Sequence, residues 1–441
     1  MAANMNPEIL LALAKDHGCT RLLAKRMAPN DNSKNQIYLG GDFSALNLIP
    51  FGPMTTDASA RGGGRRDRMK ASVNLFWLLP NGATEPAPAA NLILYPKYPE
   101  VRLSGILKGV KHPHPAAVVA NRDHGRWLFL AISNTGAVYA HAARGDSNAA
   151  LWAERLATQS PCSGVFMDLT DRLRGNEPDI RQRLRSIAAK GWIESKRLAA
   201  DGTMRPCQAE NCGGYTLEAE LGIRPNGRSE PDFSGWEVKQ FAVSNLAAPT
   251  GGPVTMFTPE PDGGLYRERG VTEFLNTYGH PNTKGIAGRI DFGGIHRVGL
   301  VHPSTGLALS LHGWDAARGR IDDADGGIHL TGADGTIAAA WSFRSLMEHW
   351  KRKHAHAVYV PSLQRIEPRA YRYGSRVLAG TGADFGRVLA ALCSGRVYYD
   401  PAVKLEQAGP NTRTKRRSQF RVHFRDIPML YAMTEWWDLH A

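Results

Sequence analysis

The sequence predicts an α+β protein in two parts, a β-rich part over residues 1–170 and a part that mixes helices and strands over residues 171–441. The length and the 42% hydrophobic content are sufficient for more than one core. Short apolar runs bounded by turn residues dominate up to about residue 142, which is typical of strands. Helices with clear start and stop residues appear from residue 179 onward.

The β-rich part is predicted to open with one helix within residues 1–20, where apolar residues recur at helical spacing. Strands bounded by turn residues are predicted over residues 72–79, 91–95, 127–133 and 137–142. The last two flank a hairpin turn at residues 134–136. Residues 61–68 are a basic, glycine-rich loop that either is a solvated linker or contacts phosphate.

The second part is predicted to start, after a weak helix and a loop, with a helix over residues 179–190. Asp179 suits the N-cap of this helix, and Gly191 ends it. A short helix is predicted around Glu218, and a strand from Asp232 onward.

The composition argues against several classes of protein. There is no apolar run long enough for a transmembrane helix, and residues 1–14 do not resemble a secretory signal. The content of apolar and charged residues is that of a folded globular protein rather than a disordered one. The five cysteines are scattered, and Cys207 and Cys212 lack a second pair at zinc spacing. We therefore expect a cytoplasmic protein with reduced cysteines and no zinc module.

The charge balance is the first indication of function. The chain has 54 Lys and Arg against 41 Asp and Glu, which gives a formal net charge of +13. Such a chain attracts polyanions, of which nucleic acid is the commonest, although a merely soluble basic surface has the same balance.

One segment combines residue types that suit phosphodiester hydrolysis. In a strand that starts at Asp232, Glu237 and Lys239 lie two residues apart and face the same way. A bend at Gly235 can bring the Asp232 carboxylate to Glu237. Two carboxylates suit Mg²⁺, which stabilises charge on a phosphoryl group and acidifies a bound water. Lys239 can orient that water or help to deprotonate it.

The pattern alone does not decide the matter, because a second copy of it occurs upstream at Asp179, Glu194 and Lys196. The later copy is preferred for two reasons. Asp179 starts a predicted helix, whereas the chemistry needs the aspartate at the entrance of a strand. Glu218, on a separate predicted helix before Asp232, adds a third carboxylate to the later copy. The alternative for Glu237 and Lys239 is an ordinary surface ion pair on an edge strand.

Several stretches of the second part resemble the MvaI/BcnI restriction endonuclease family, whose structural relative is the mismatch-repair nickase MutH. They are residues 191–197, 216–218, 231–233, 237–239, 255–258, 341–346, 392–395 and 420–422. The resemblance implies a restriction-endonuclease-like domain with a mixed central sheet that hydrolyses duplex DNA. It implies a monomer that uses Mg²⁺ at a short C- and G-rich site of the CCWGG or CCSGG kind, within a bacterial restriction-modification system. It also places Glu218, Asp232, Glu237 and Lys239 at the catalytic positions, with Asp232 and Glu237 as metal ligands.

The sequence departs from the family pattern before Phe420, where a basic stretch replaces a His-rich one. Arginine can bind guanine in the major groove through two hydrogen bonds, and the other basic residues can bind phosphates. The predicted DNA-binding residues of this loop and the following strand are Arg413, Lys415, Arg416, Arg417 and Arg421. The alternative is a solvated charged loop. His354 and His356 are expected to end a helix rather than to bind a metal.

Residues 25–31 and 35–39 resemble the N-terminal effector domain of EcoRII, a β pseudobarrel that binds a second copy of the recognition sequence. With the nuclease part, this is the arrangement of UbaLAI-like enzymes. The resemblance implies DNA contacts by Lys25, Asn35, Lys97, Glu100 and Arg102. Two other functions stay open at this point, a MutH-like repair nickase and a DNA-binding regulator without catalysis.

Overall fold

The computed structural model describes residues 5–29, 35–57, 68–175, 178–224, 232–233, 235–350, 355–408 and 411–440. The chain forms two compact units. Unit 1 comprises residues 1–249, 351–384 and 432–441, and unit 2 comprises residues 250–350 and 385–431. Among the described residues, every helix is too short or too polar to cross a bilayer.

The chain up to residue 175 is rich in strands, as predicted. Its elements are α1 (Pro7–Asp16), β1 (Cys19–Arg26), β2 (Ile37–Tyr38), a 3-10 helix (Ser44–Asn47), β3 (Met54–Asp57), β4 (Arg68–Ser72), β5 (Leu75–Leu78), β6 (Thr84–Pro86), β7 (Asn91–Tyr95), β8 (Glu100–Ser104), α2 (Pro113–Val119), β9 (Trp127–Ser133), β10 (Val138–Ala143), α3 (Asn148–Leu156), β11 (Cys162–Ser163), β12 (Phe166–Asp168) and α4 (Thr170–Arg174).

These strands form a seven-stranded sheet in the order β11-β12-β1-β9-β10-β5-β6 and a five-stranded sheet in the order β2-β8-β7-β4-β3. The predicted hairpin is confirmed, with β9 and β10 antiparallel. The strand predicted over residues 72–79 is confirmed only over Leu75–Leu78, because Ser72 ends β4, which belongs to the other sheet. The predicted loop before residue 178 missed the short strands β11 and β12.

Residues 178–249 contain the helices and strands around the carboxylate motif. They are α5 (Ile180–Ala189), β13 (Trp192–Glu194), β14 (Lys196–Leu198), β15 (Met204–Pro206), α6 (Cys212–Leu221) and β16 (Glu237–Ala242). The helix predicted over residues 179–190 is confirmed. Asp179 caps it through a capping box, in which the Asp179 carboxylate accepts the Gln182 N–H and the Gln182 side chain accepts the Asp179 N–H.

Residues 250–350 belong to unit 2. Their elements are β17 (Pro253–Phe257), α7 (Leu265–Glu268), α8 (Val271–Tyr278), β18 (His280–Pro281), β19 (Arg289–Gly293), β20 (Ala308–His312), β21 (Trp314–Asp315), β22 (Arg320–Ile321), β23 (Gly327–Thr331), β24 (Ile337–Ser342) and α9 (Phe343–Trp350). The interpretation of residues 341–346 as the opening of a helix is correct only from Phe343, because Trp341 and Ser342 end β24.

The last elements alternate between the two units. They are β25 (His356–Arg365), β26 (Ala370–Tyr373), β27 (Arg376–Thr381), α10 (Phe385–Cys393), β28 (Val397–Tyr399), β29 (Ala402–Ala408), β30 (Asn411–Lys415), β31 (Phe420–His423), a 3-10 helix (Phe424–Leu430) and β32 (Met433–Asp438). His356 was expected at a helix end, but it starts a buried strand. His354 lies outside the described residues.

The central sheet of unit 1 carries the motif. Its strands run β13-β26-β25-β27-β32, and β16 pairs with β25. The pairing of β16 with β25 is parallel, whereas β25 pairs with β26 and β27 antiparallel, so the sheet is mixed. Helices α5 and α6 cover it with a core that includes Ile187, Leu217, Val238 and Val358. This packing fixes β16, and with it Glu237 and Lys239, against the most buried strand of the sheet.

Unit 2 consists of smaller sheets. The three largest have the strand orders β18-β19-β29-β30, β17-β31-β28 and β20-β23-β24. A cluster of aromatic rings fills the second of these, where Phe257 stacks on Phe420 at a centroid distance of 5.1 Å. Trp341 meets Phe420 edge-on at 5.4 Å. These aromatic contacts fix β31, the strand that carries Arg421.

Candidate active site

A closed turn brings the two motif carboxylates together. The Phe233 N–H donates to the Trp236 carbonyl at 2.9 Å, and the Trp236 N–H donates to the Phe233 carbonyl at 2.8 Å. Asp232 and Glu237 are the residues directly outside this hydrogen-bonded pair, so they face each other across the turn. Gly235 has a φ of +89°, a conformation that favours glycine in the turn. The turn between Asp232 and Glu237 therefore places the two carboxylates opposite each other.

The strand is shorter than predicted, because β16 begins at Glu237 and not at Asp232. Asp232 is held by the strand all the same, since its Oδ2 accepts the Val238 N–H at 3.0 Å. Lys239 Nζ donates to Glu237 Oε1 at 2.6 Å. The structure therefore brings Asp232, Glu237 and Lys239 into one cluster.

This cluster is not the surface ion pair that the sequence left open. The Glu237 side chain is 4% exposed and that of Lys239 is 25% exposed. Burial alone lowers the pKa of Lys239, but attraction to the Glu237 carboxylate, and after it to Asp232, outweighs burial and raises the pKa above its ordinary value. Lys239 is therefore charged at neutral pH, which suits the stabilisation of negative charge better than the abstraction of a proton.

Glu218 lies on α6, the helix that packs beside β16. Its side chain is half-buried. Thr216 on the same helix fixes α6 to β14, because its hydroxyl accepts the Lys196 N–H and donates to the Lys196 carbonyl, both at 3.1 Å. The structure thus places the third predicted carboxylate on the element next to the cluster.

The upstream copy of the motif has structural roles instead. Asp179 is the N-cap of α5, and Lys196 is paired with Glu220 at 2.5 Å. Glu194 is exposed at the end of β13. The upstream residues are therefore used for capping and ion pairing, which favours the later copy as the reactive one.

The expectation of reduced cysteines throughout is wrong. Cys207 and Cys212 form a disulfide with a Cα–Cα distance of 5.8 Å, and both residues are buried. The bond ties the segment after β15 to the first residue of α6, the helix that carries Glu218. The short spacing of these two cysteines is compatible with a disulfide, but the same spacing also suits two free thiols.

The basic stretch of unit 2 lines a cleft with a volume of about 880 Å³. Lys415, Arg416 and Arg417 line it together with Arg289 and Lys404, which the sequence analysis missed. Residues 411–415 are the strand β30 rather than a loop, and Arg413 stands on it opposite Glu406. Arg416 and Arg417 follow the strand and are exposed. The basic residues of the cleft thus come from β19, β29 and β30 and from the segment after β30.

Arg421 differs from the other basic residues of this stretch. Its Nη1 donates to Asp400 Oδ2 at 2.7 Å, and its Nη2 donates to the Pro253 carbonyl at 2.9 Å. Two acceptors therefore orient the guanidinium of Arg421 within the fold.

The residues predicted to bind DNA in the β-rich part fall into two groups. Lys25 and Arg102 line a cavity of about 180 Å³ together with Gln36 and Tyr38, which the sequence analysis missed. Arg102 is paired with Glu100 and donates to Gln36 Oε1 at 3.2 Å.

The second group lies beside these residues along the chain. Asn35 directly precedes Gln36 and has a φ of +50°, and Lys97 is half-buried in the turn between β7 and β8. Lys25 is itself buried and donates to the Arg26 carbonyl at 3.0 Å. Lys25 is the least exposed of these five predicted contacts, and its burial lowers the pKa of its amine.

The chain was compared with known proteins. The model of the MvaI/BcnI restriction endonuclease family matches residues 181–431. A solved complex of the restriction endonuclease MvaI with cognate DNA is similar at 15% identity and a TM-score of 0.43, over 58% of this chain and 96% of that chain. MvaI in the absence of DNA is similar at 15% identity and a TM-score of 0.33, over 58% and 95% of the two chains.

The B3 domain of the UbaLAI restriction endonuclease, solved with cognate DNA, is similar at 16% identity and a TM-score of 0.23. That similarity covers 36% of this chain and 96% of the domain. The search among curated proteins found no match. The family match spans more than half of the chain and includes the carboxylate turn, Lys239 and the basic stretch, so the chain belongs to the MvaI/BcnI restriction endonuclease family.

Proposed function

We propose that this protein is a type II site-specific restriction endonuclease that hydrolyses phosphodiester bonds of duplex DNA at a short C- and G-rich sequence of the CCWGG or CCSGG kind. The observation that carries the proposal is the cluster of Asp232, Lys239 and the buried Glu237 at a closed turn. Family membership supports the reaction class. The protein acts in the bacterial cytoplasm as a monomer within a restriction-modification system.

The side chains of the cluster fit Mg²⁺. Asp232 and Glu237 face each other across the turn and offer the hard oxygen donors that this ion prefers. The described residues contain no group of three or more His, Cys, Asp or Glu side chains placed to hold a metal. Mg²⁺ keeps several of its waters in proteins, so two carboxylates are a sufficient set of protein ligands for it. When bound, Mg²⁺ would polarise the phosphate and lower the pKa of a bound water.

The other groups of the site have separate parts in this reaction. The Val238 N–H holds Asp232 in place, and Lys239 supplies positive charge where negative charge develops on the phosphate. Glu218 is proposed as an added ligand or as the carboxylate that orients the attacking water. Its position on α6 beside β16 supports this role.

DNA contact is proposed for both basic regions. In unit 2, base and phosphate contacts are proposed for five residues of β30, the segment after it and β31: Arg413, Lys415, Arg416, Arg417 and Arg421. In the β-rich part, which we propose to be an effector-type pseudobarrel within residues 1–170, a second copy of the site is bound. Lys25, Asn35, Lys97, Glu100 and Arg102 are the proposed contacts there.

The proposal is tested by digestion of a plasmid of known sequence with the purified protein and Mg²⁺, followed by run-off sequencing of the ends. Double-strand breaks at one recurring sequence are expected, and EDTA should abolish them. Stable nicked circles would support a repair nickase instead. Specific binding without cleavage would support a regulator and contradict the proposal.

A further inference from the structure

An arginine from the first strand of the β-rich part contacts the carboxylate turn. Arg21 lies on β1 of the seven-stranded sheet and is 4% exposed. A methyl group built on Gly235 would lie 3.1 Å from Arg21 Nε, so the guanidinium rests directly against the tip of the turn. Gly235 is flanked by Trp236, the last residue before Glu237. The residues in contact are more than 200 positions apart, and both belong to unit 1.

Arg21 is poorly paired for a buried charge. Its nearest described partner is Asp168, at 3.5 Å between Nη2 and Oδ2. Nε, Nη1 and Nη2 have no hydrogen-bond acceptor among the described residues. A buried guanidinium with one loose partner adds little net stability, because its desolvation costs about as much as the ion pair returns. Its packing against the turn is therefore the more informative feature.

Other contacts hold the same turn from several sides. The guanidinium of Arg174, at the end of α4, lies over the Phe233 ring at 5.5 Å. The Trp236 ring packs on His356 at 5.3 Å and meets Trp437 edge-on at 5.1 Å. Both residues whose backbones close the turn thus have their rings fixed by neighbours.

The β-rich part also contacts the end of the central sheet at which β16 begins with Glu237. His356 lies 4.0 Å from Asp168 and directly precedes Ala357, the register partner of Glu237. Thr381 is the register partner of His356 on the neighbouring strand. Two residues that follow Thr381 in the chain accept hydrogen bonds from the 3-10 helix Ser44–Asn47 and the residue before it. The Phe43 N–H donates to Asp384 at 2.9 Å, and the Asn47 amide donates to the Ala383 carbonyl.

We propose that Arg21 is a positioning residue of the nuclease, which holds the turn between Phe233 and Trp236 so that Asp232 and Glu237 stay opposed. The inference rests on the proposed function, because it gives the turn a purpose in cleavage. Displacement of a reacting group by about 1 Å can cost about 100-fold in rate. The β-rich part thereby contributes to the scaffold of the active site as well as to DNA binding.

The test uses the full chain and the variants Arg21→Met and Arg21→Lys. Arg144→Met is the matched control, because Arg144 also lies in the β-rich part but forms an exposed ion pair with Asp146. Three quantities are measured: the single-turnover cleavage rate on a duplex with the mapped site, the affinity for that duplex without divalent metal, and the rise in the midpoint of thermal unfolding on addition of Mg²⁺.

For Arg21→Met we expect a cleavage rate lowered by about 10- to 100-fold. Duplex affinity should be nearly unchanged, and the Mg²⁺-induced rise in the unfolding midpoint should be smaller than in the unchanged protein. Arg21→Lys should recover part of the rate, since it keeps the charge and most of the stem. Arg144→Met should match the unchanged protein in all three quantities.

A rate for Arg21→Met within about twofold of the unchanged protein would overturn the inference and leave the proposed function intact. A loss that disappears at temperatures where the variant is fully folded would overturn it too. If Arg21→Met does not fold, the pair Arg21→Met with Asp168→Asn, which leaves no unpaired buried charge, is measured in its place. If the unchanged protein cuts no DNA, the proposed function fails and the role of Arg21 fails with it.

Discussion

At the scale of single residues, Asp232, Glu237 and Lys239 are expected to be required for cleavage but not for DNA binding. Changing any one to Ala removes a proposed metal ligand or the charge beside it, so the cleavage rate should fall by about 100- to 1,000-fold. Duplex affinity depends mainly on phosphate contacts and should change little. Gel-shift and single-turnover cleavage assays on the same duplex measure both quantities.

The upstream copy of the motif is the matched control for this prediction. Asp179→Ala removes the N-cap of α5, so it should lower the free energy of unfolding by about 1 kcal/mol and leave the cleavage rate intact. Full cleavage by Asp232→Ala, together with an inactive Asp179→Ala, would move the active site to the upstream copy.

Arg416 and Arg417 are expected to read bases, because both are exposed at the basic cleft of unit 2. Replacing a base-reading arginine by Ala should cost about 1–3 kcal/mol in binding and relax one position of the recognition sequence. Sequencing of the ends from a randomised substrate pool measures that relaxation. A uniform loss of affinity over all sequences would instead identify a phosphate contact.

Arg421 gives a contrast within the same stretch. Its guanidinium is bound by Asp400 and by the Pro253 carbonyl, so Arg421→Ala should lower stability as well as activity. If Arg416→Ala and Arg417→Ala both leave specificity unchanged while Arg421→Ala relaxes it, Arg421 is the base reader.

At the scale of elements, the disulfide between Cys207 and Cys212 ties the start of α6 to the segment after β15. In the chain-entropy account, closing so short a loop stabilises the folded state by about 2 kcal/mol. We therefore expect dithiothreitol to lower the free energy of unfolding in urea by that amount and to slow cleavage, because α6 carries Glu218. A variant with Cys207→Ser and Cys212→Ser should match the reduced protein and not respond to dithiothreitol. A response of that variant would assign the effect to another cysteine.

Elements with strong local signals were predictable from the sequence, and elements defined by distant partners were not. The start of α5 follows from Asp179 and its capping box, and the hairpin of β9 and β10 follows from its turn. The break between Ser72 and Leu75 did not follow, because it is defined by a change of partner sheet between β4 and β5. The contact of Arg21 with Gly235 has no local signal, because it depends on how two distant strands pack.

At the scale of the whole molecule, the β-rich part is expected to make cleavage depend on a second DNA site. If it binds its own copy, a second site on the same plasmid stands at a high effective concentration, and a two-site plasmid should be cut faster than a one-site plasmid. A short duplex that carries the site, added in trans, should accelerate cleavage of the one-site plasmid.

Arg102→Ala should lower the two-site rate to the one-site rate, because Arg102 lines the cavity of the β-rich part. Arg144→Met, which removes an exposed charge of the same part, should keep the two-site advantage. Equal rates on both plasmids for the unchanged protein would show that the β-rich part does not act as an effector. The contacts of Arg21 and Arg174 with the carboxylate turn would then be the main role of that part.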